Sequence, residues 1–274
     1  MCLDIVSDKA LANVFCIKAI LRLATKNRFC ESSQRLIQPR LVRWDSAEFD
    51  RFAEEYDVQH SANIAITGET PSFFAAYKIA EFADRAGALR ADGARILDFG
   101  AGIGNSIPFF RQYFPGSRLT CADPSSRSIA LSRERFPGPE QYSVLEGREI
   151  PHDAGAFDMT FSACVFHHIP HEEHAHWLAE LFRVTRPGGL LTIFEHNPLN
   201  PLTVQAVNTC PFDENAVLIR AKTLLRSLKD AGWARAALRY HIFFPRALAG
   251  LRPLEKHLSW VPLGAQYSAT VWKP

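Results

Sequence analysis

Residues Asp98-Phe99-Gly100-Ala101-Gly102-Ile103-Gly104-Asn105 set a carboxylate two positions before a run of glycines at every second residue. Glycine there lets the backbone take positive φ and approach a ligand closely, and a helix starting behind it offers unpaired N–H groups. Arg95 to Phe99 is a largely apolar run and Ser106 to Tyr113 has helical periodicity, so the order is strand, tight turn, helix, as a nucleotide-binding crossover needs. The register of the glycines narrows the ligand. A dinucleotide fingerprint is G-x-G-x-x-G/A, but after Gly100 and Gly102 the position that must be small is Asn105, and the third glycine comes one residue early, at Gly104. Asp123 follows the loop by about 20 residues, at the end of a second short strand, Arg118 to Ala122. A carboxylate at that place accepts both ribose hydroxyl hydrogens, or else caps the helix Ser125 to Phe136 with Pro124 at its first position.

Histidines form the second cluster: His167, His168, His171, His174 and His176, with His196 further on. The zinc motif H-E-x-x-H places its histidines four apart, whereas His171-Glu172-Glu173-His174 spaces them three apart, and no cysteine or third ligand has suitable local spacing. No metal is expected on that count, and the later histidines read as a solvated helix face.

Such residues need a scaffold. The chain has 274 residues, 47% hydrophobic and 22% charged, which suits one main α/β domain with additions. Six cysteines at 2, 16, 30, 121, 164 and 210 include no C-x-x-C pair, the usage of a reducing cytoplasm and not of a disulfide framework. Residues 1–43 hold eight Lys/Arg against three acids, a net +5 that leaves −3 for the rest. Their apolar part, Leu11 to Ala24, is broken by Lys18 and Arg22 and is shorter than the roughly 20 residues of a membrane span. Asp4 and Asp8 precede it and Lys26 and Arg28 follow, the reverse of a secretory signal. This segment reads as a basic, helical extension. Beyond it, Ala47 to Tyr56 and Ser72 to Ala86 have apolar residues at helical spacing, with a polar hinge, Thr67 to Pro71, between them. Strands are expected at Gln141 to Leu145, Phe157 to Ala163, Leu190 to Phe194, Ala236 to Phe244 and Gln266 to Trp272. Helices are expected at Glu172 to Val184 and 213–231, with a helical insertion from Pro245 to Leu258.

The order D-x-G-x-G-x-G resembles motif I of the class I S-adenosylmethionine (SAM) dependent methyltransferases. Further resemblances are Glu146 to Pro151 (acid-x-x-x-x-Pro), Phe157-Asp158, Phe166-His167-His168-Ile169-Pro170 and Arg186-Pro187-Gly188-Gly189. They run from 46 to 274 and are densest between 96 and 196; Arg148 departs from the small or acidic residue often found there. The resemblance implies an α/β fold: a doubly wound, seven-stranded Rossmann-like sheet with a helical N-terminal lid and an antiparallel seventh strand. The domain would span 44–274, with lid helices at 46–90, a cofactor core at 94–196 and a C-terminal part at 197–274. It implies SAM as cofactor, with Asp98 orienting its amino group and Gly100, Ala101, Gly102, Gly104 and Asn105 around its amino-acid end. Asp123 and Pro124 would hold the ribose, Glu146 and Gly147 the adenine edge, and Cys164 would open the loop along the methionine part. In the lid, Phe49, Phe52, Ala53 and Tyr56 either line the acceptor pocket or pack the helices.

No Asn-Pro-Pro-Tyr or Asp-Pro-Pro-Tyr follows strand four, which favours an oxygen or carbon acceptor on a small molecule, and a net charge of +2 with interspersed signs gives no pull towards nucleic acid. If the acceptor is a hydroxyl, His168 and His196 are the candidate bases, oriented by Glu195 or Asn197, while His167 turns away or supports the loop. Two other classes fit parts of the pattern: an NAD(P)-dependent oxidoreductase, against which Asn105 counts, and a catalytically silent binding protein of the same fold.

Overall fold

The computed structural model describes residues 68–210 and 213–274. The basic extension and the first lid helix lie outside the described residues. One seven-stranded sheet runs through the rest: β1 (Arg95–Phe99), β2 (Arg118–Asp123), β3 (Gln141–Val144), β4 (Phe157–Ala163), β5 (Thr185–His196), β6 (Ala234–His241) and β7 (Gln266–Trp272). Their order is β3-β2-β1-β4-β5-β7-β6, with β1 to β5 parallel and β7 antiparallel to both neighbours. The dinucleotide sheet has order 3-2-1-4-5-6. Insertion of β7 between β5 and β6 separates the two topologies.

Both faces of this sheet are covered, which is why its central strands read as continuous apolar runs. Ile96, Met159, Phe161, Leu190 and Phe194 share one core with α1 (Pro71–Ala86) and α2 (Ile107–Tyr113). Phe82 of α1 meets Phe110, Phe114 and Phe161 there, with ring centroids 5.2 to 6.2 Å apart. On the other face, Leu97, Phe99, Leu191 and Ile193 pack with α4 (His174–Val184) and α6 (Ala221–Asp230); α3 (Ser126–Arg135) follows β2. At the amino ends of the strands, Asp158 accepts from Arg95 Nε at 3.1 Å and Arg186 Nε at 2.6 Å, tying β1, β4 and β5 together.

The expected helix at 213–231 begins only at Ala221. Residues 214–220 are turn and coil, since Val217 N–H donates to the His167 carbonyl and the Ile219 carbonyl accepts from Tyr267 Oη. A helix absent from the sequence reading, α5 (Pro201–Thr209), fills part of the preceding stretch; Asn200 caps it by accepting from Thr203 N–H, with Pro201 at its first position. The strand expected at Ala236 to Phe244 sits two residues earlier and ends at His241, followed by Ile242 with φ +62°. The insertion is helical: a 3-10 stretch, Arg246–Leu254, then α7 (Glu255–Leu258). The Arg186-Pro187-Gly188-Gly189 turn lies inside β5 as a register shift opposite Phe157 and Met159, with Gly188 at φ +73°. No helix among the described residues is long and apolar enough to cross a membrane.

Candidate functional site

Parallel strands with helices on both faces leave a crevice at their carboxyl ends, and there the chain encloses a cavity of about 280 Å³. Its floor is the glycine loop. Gly100 N–H and Ala101 N–H both donate to the Ala122 carbonyl, pinning the loop to β2. Gly100 has φ +80°, and a Cβ there would lie 2.3 Å from Val165 Cγ2. Gly102 has φ +53°, and a Cβ on it would meet nothing within 4 Å, so this position faces room for a ligand. Gly104 does not line the cavity; its missing Cβ makes space for Ser132 Oγ of α3 at 2.2 Å.

Asp98 is 2% exposed, and its Oδ2 atom has no hydrogen-bond partner among the described residues. Burial, then the neighbouring Asp123, outweigh Lys78 and push its carboxyl up to about 8. An unpartnered buried carboxylate is costly unless a donor or cation meets it. Asp123 accepts from Gly102 N–H at 2.8 Å and from Ser125 N–H at 2.9 Å. It is not the helix cap: Ser125 is, accepting from Ser128 N–H. Pro124 and Asn105 also line the cavity. Glu146 and Gly147 are exposed beyond β3 and do not reach it.

The opposite wall comes from the ends of β4, β5 and β7. Cys164 stands at φ +58°, its N–H held by the Phe194 carbonyl, and its Sγ lies 3.2 Å from Lys78 Nζ. Burial pushes this thiol up, but Lys78 and His196 outweigh it and bring it to about 6. Gln266 Nε2 lies 3.5 Å from His196 Nδ1, and Gln266 Oε1 accepts from the Tyr77 hydroxyl. Lys78 was not picked out from sequence. The signal was present: it falls four residues after Phe74 and four before Phe82, on the buried stripe of α1, and is itself buried.

His167, His168 and His196 all line the cavity. Glu195 Oε2 accepts from His167 Nδ1 at 2.6 Å, while Oε1 accepts from the backbone N–H groups of Val165 and Phe166, so one carboxylate orients the ring and fixes the loop. His167 Nε2 faces Asp213 Oδ1 at 3.7 Å, and His168 Nε2 faces the same oxygen at 3.5 Å. Burial disfavours charge on His167, yet Glu195 and Asp213 prevail and raise it to about 10. Burial and the adjacent His167 hold His168 neutral, far below its ordinary value. Of the two orienting residues expected, Glu195 serves His167, and Asn197 serves neither base: its side chain bonds the carbonyls of Pro262 and Gly264 and the N–H of Leu199. Asp213 is a residue that the sequence reading missed, having placed it inside a helix. His171 and His174 do not join this group, since His174 Nε2 bonds the carbonyls of Phe166 and Ile169.

Residues 97–193 match a family described as a methyltransferase domain. Over 151 residues the chain is 30% identical to the malonyl-[acyl-carrier protein] O-methyltransferase of Salmonella typhimurium, covering 53% of this chain and 51% of that one. A trans-aconitate 2-methyltransferase of Azoarcus sp. is 32% identical over 102 residues, 37% of this chain and 39% of its own. The chain thus spans between two fifths and half of the length of these curated relatives. Its fold is similar to that of the Haemonchus contortus phosphoethanolamine N-methyltransferase 2 in complex with SAM: TM-score 0.58, 18% identity, covering 82% of this chain and 60% of that one. Strand order and glycine loop agree with the methyltransferase domain matched at residues 97–193, and that part of the chain resembles the class I SAM-dependent methyltransferases.

Proposed function

We propose that this chain binds SAM in the cavity and methylates a small molecule, at oxygen or carbon and not at nitrogen. The observation that carries the reading is the buried Asp98 Oδ2, without a hydrogen-bond partner among the described residues, in the same cavity as the open face of Gly102 and the candidate bases His168 and His196. Bound SAM supplies a methyl group already activated by its sulfonium charge, so the protein's tasks are alignment and removal of one acceptor proton. Asp98 would receive the cofactor's ammonium group, Gly102 would let the backbone come close, and Asp123 would accept from the ribose hydroxyls. Lys78 Nζ stands 3.2 Å from Cys164 Sγ on the same wall. His168 and His196 are the proton acceptors available to an acceptor hydroxyl, and Glu195, through His167, sets the loop on which His168 stands. An oxygen acceptor also fits the Salmonella relative, which is an O-methyltransferase.

Incubating the protein with methyl-labelled SAM and a metabolite extract, then weighing the products by mass spectrometry, tests this. Label on a small molecule at oxygen or carbon supports the reading. Label on an amine would overturn the choice of acceptor atom, and bound SAM with no product would establish the silent alternative.

A further inference from the structure

His167, His168 and Asp213 converge on the acceptor wall. One ligand atom from each of the three lies within 4.8 Å of the others, and His167 Nε2 and His168 Nε2 stand 3.7 and 3.5 Å from Asp213 Oδ1. Both separations exceed an ordinary N–H···O hydrogen bond. They stand close to the roughly 3–3.5 Å that separates ligand atoms each about 2.0–2.2 Å from one ion.

We propose that His167, His168 and Asp213 form a binding site for one divalent transition-metal cation on the acceptor side of the cavity. Two imidazoles and one carboxylate are a donor set for such ions, and three protein ligands leave coordination positions open. The outer layer is already built. Glu195 Oε2 accepts a hydrogen bond from His167 Nδ1 at 2.6 Å, so Nε2 is the nitrogen turned to Asp213, and a cation binding there would displace the proton that the two carboxylates hold on it, the carboxylate–histidine arrangement usual behind metal ligands. Val165 N–H and Phe166 N–H hold Glu195 in turn, so the ring is positioned before any ion arrives. All three ligands line the cavity, so an open position faces the space in which an acceptor would lie.

This inference rests on the methyltransferase reading and narrows its substrate class to acceptors that present an ionisable oxygen, a hydroxyl or an enol. A cation held there would lower the pKa of that oxygen. The O–H proton then passes to His196, which is not among the three ligands, and the oxygen's electron pair is left to form the new bond to carbon as the carbon–sulfur pair stays on sulfur. His168 is a ligand in this arrangement and His196 the base.

Calorimetric titration of the chelator-treated full chain with Zn²⁺, and visible spectroscopy of the Co²⁺ form, test the site directly. One equivalent should bind, with visible Co²⁺ bands in the absence of substrate. Glu195→Gln should weaken Zn²⁺ by ~10–100-fold, the loss usual for an outer-shell partner, and Asp213→Asn by at least as much. His171→Ala, outside the cluster, should leave Zn²⁺ affinity as it was. No stoichiometric binding by the wild-type chain would overturn the proposal, as would binding that survives both cluster substitutions in folded protein. SAM titrations on the same samples separate the two readings: SAM bound without metal sinks the cation site alone, and metal bound without SAM sinks the methyltransferase reading.

Discussion

Of the three imidazoles in the cavity, His167 is held between two carboxylates that raise it to about 10, which leaves His168 and His196 as the candidates to receive a proton or to hold the acceptor. Replacing either His168 or His196 by alanine should cut turnover by ~10² or more while SAM affinity stays nearly unchanged, the size expected for a general base or a group that activates the acceptor. Steady-state kinetics beside SAM titrations check this, and wild-type turnover in both single variants and the double variant would contradict it. These two histidines were legible because each follows a strand, where open α/β sheets place their chemistry. Asp213 was not, because it reaches them from an irregular segment that no local periodicity marks. Gly104 looked like a ligand residue for the opposite reason: its spacing belongs to the loop motif, but the space its missing side chain leaves is filled by α3.

At the scale of elements, the strands were readable wherever burial on both faces made them continuously apolar, and β4 and β7 begin and end where the sequence pattern did. The stretch before α6 was misread because its apolar residues have helical spacing while its backbone groups are engaged by His167 and Tyr267. α5 could have been found from Asn200-Pro201, a cap followed by the residue that suits the first helical position. Asp158 joins three strands, and its pKa shift gives that junction a pH window. Burial alone would raise its carboxyl, but Arg95 and then Arg186 bring it down from the ordinary carboxylate range to about 2. A folded-state pKa below the unfolded one means that the stabilisation is fully present above about pH 4 and is lost as pH falls through about 2. Both arginines are more than a third exposed, so solvent screening limits the effect to about 1 kcal/mol. Asp158→Asn should therefore lower Tm by a few degrees at neutral pH and by progressively less below pH 4, as followed by circular dichroism. An equal loss at pH 2 and pH 7 would show that packing and not charge sets the contribution of this residue.

For the whole molecule, a sheet with β7 between β5 and β6 supports one crevice, and the glycine loop, Asp123 and the histidine wall all face into it. The charge break at residue 43 lies well before the first of these groups, so removal of residues 1–40 should leave SAM affinity within about twofold and Tm nearly unchanged; a large loss of either would show that the basic segment is part of the domain. The central claim is that this crevice binds SAM between the glycine loop and Asp123, and calorimetric titration of SAM into the wild-type chain and two variants tests it most directly. The wild-type chain should bind one equivalent. Gly102→Val should abolish binding, because a branched side chain at φ +53° would project into the cavity. Asp123→Ala should weaken binding by about 1.5–3 kcal/mol, the contribution of hydrogen bonds to a charged group. Absence of SAM binding by the wild-type chain, or equal affinity in all three proteins, would contradict this placement of the site.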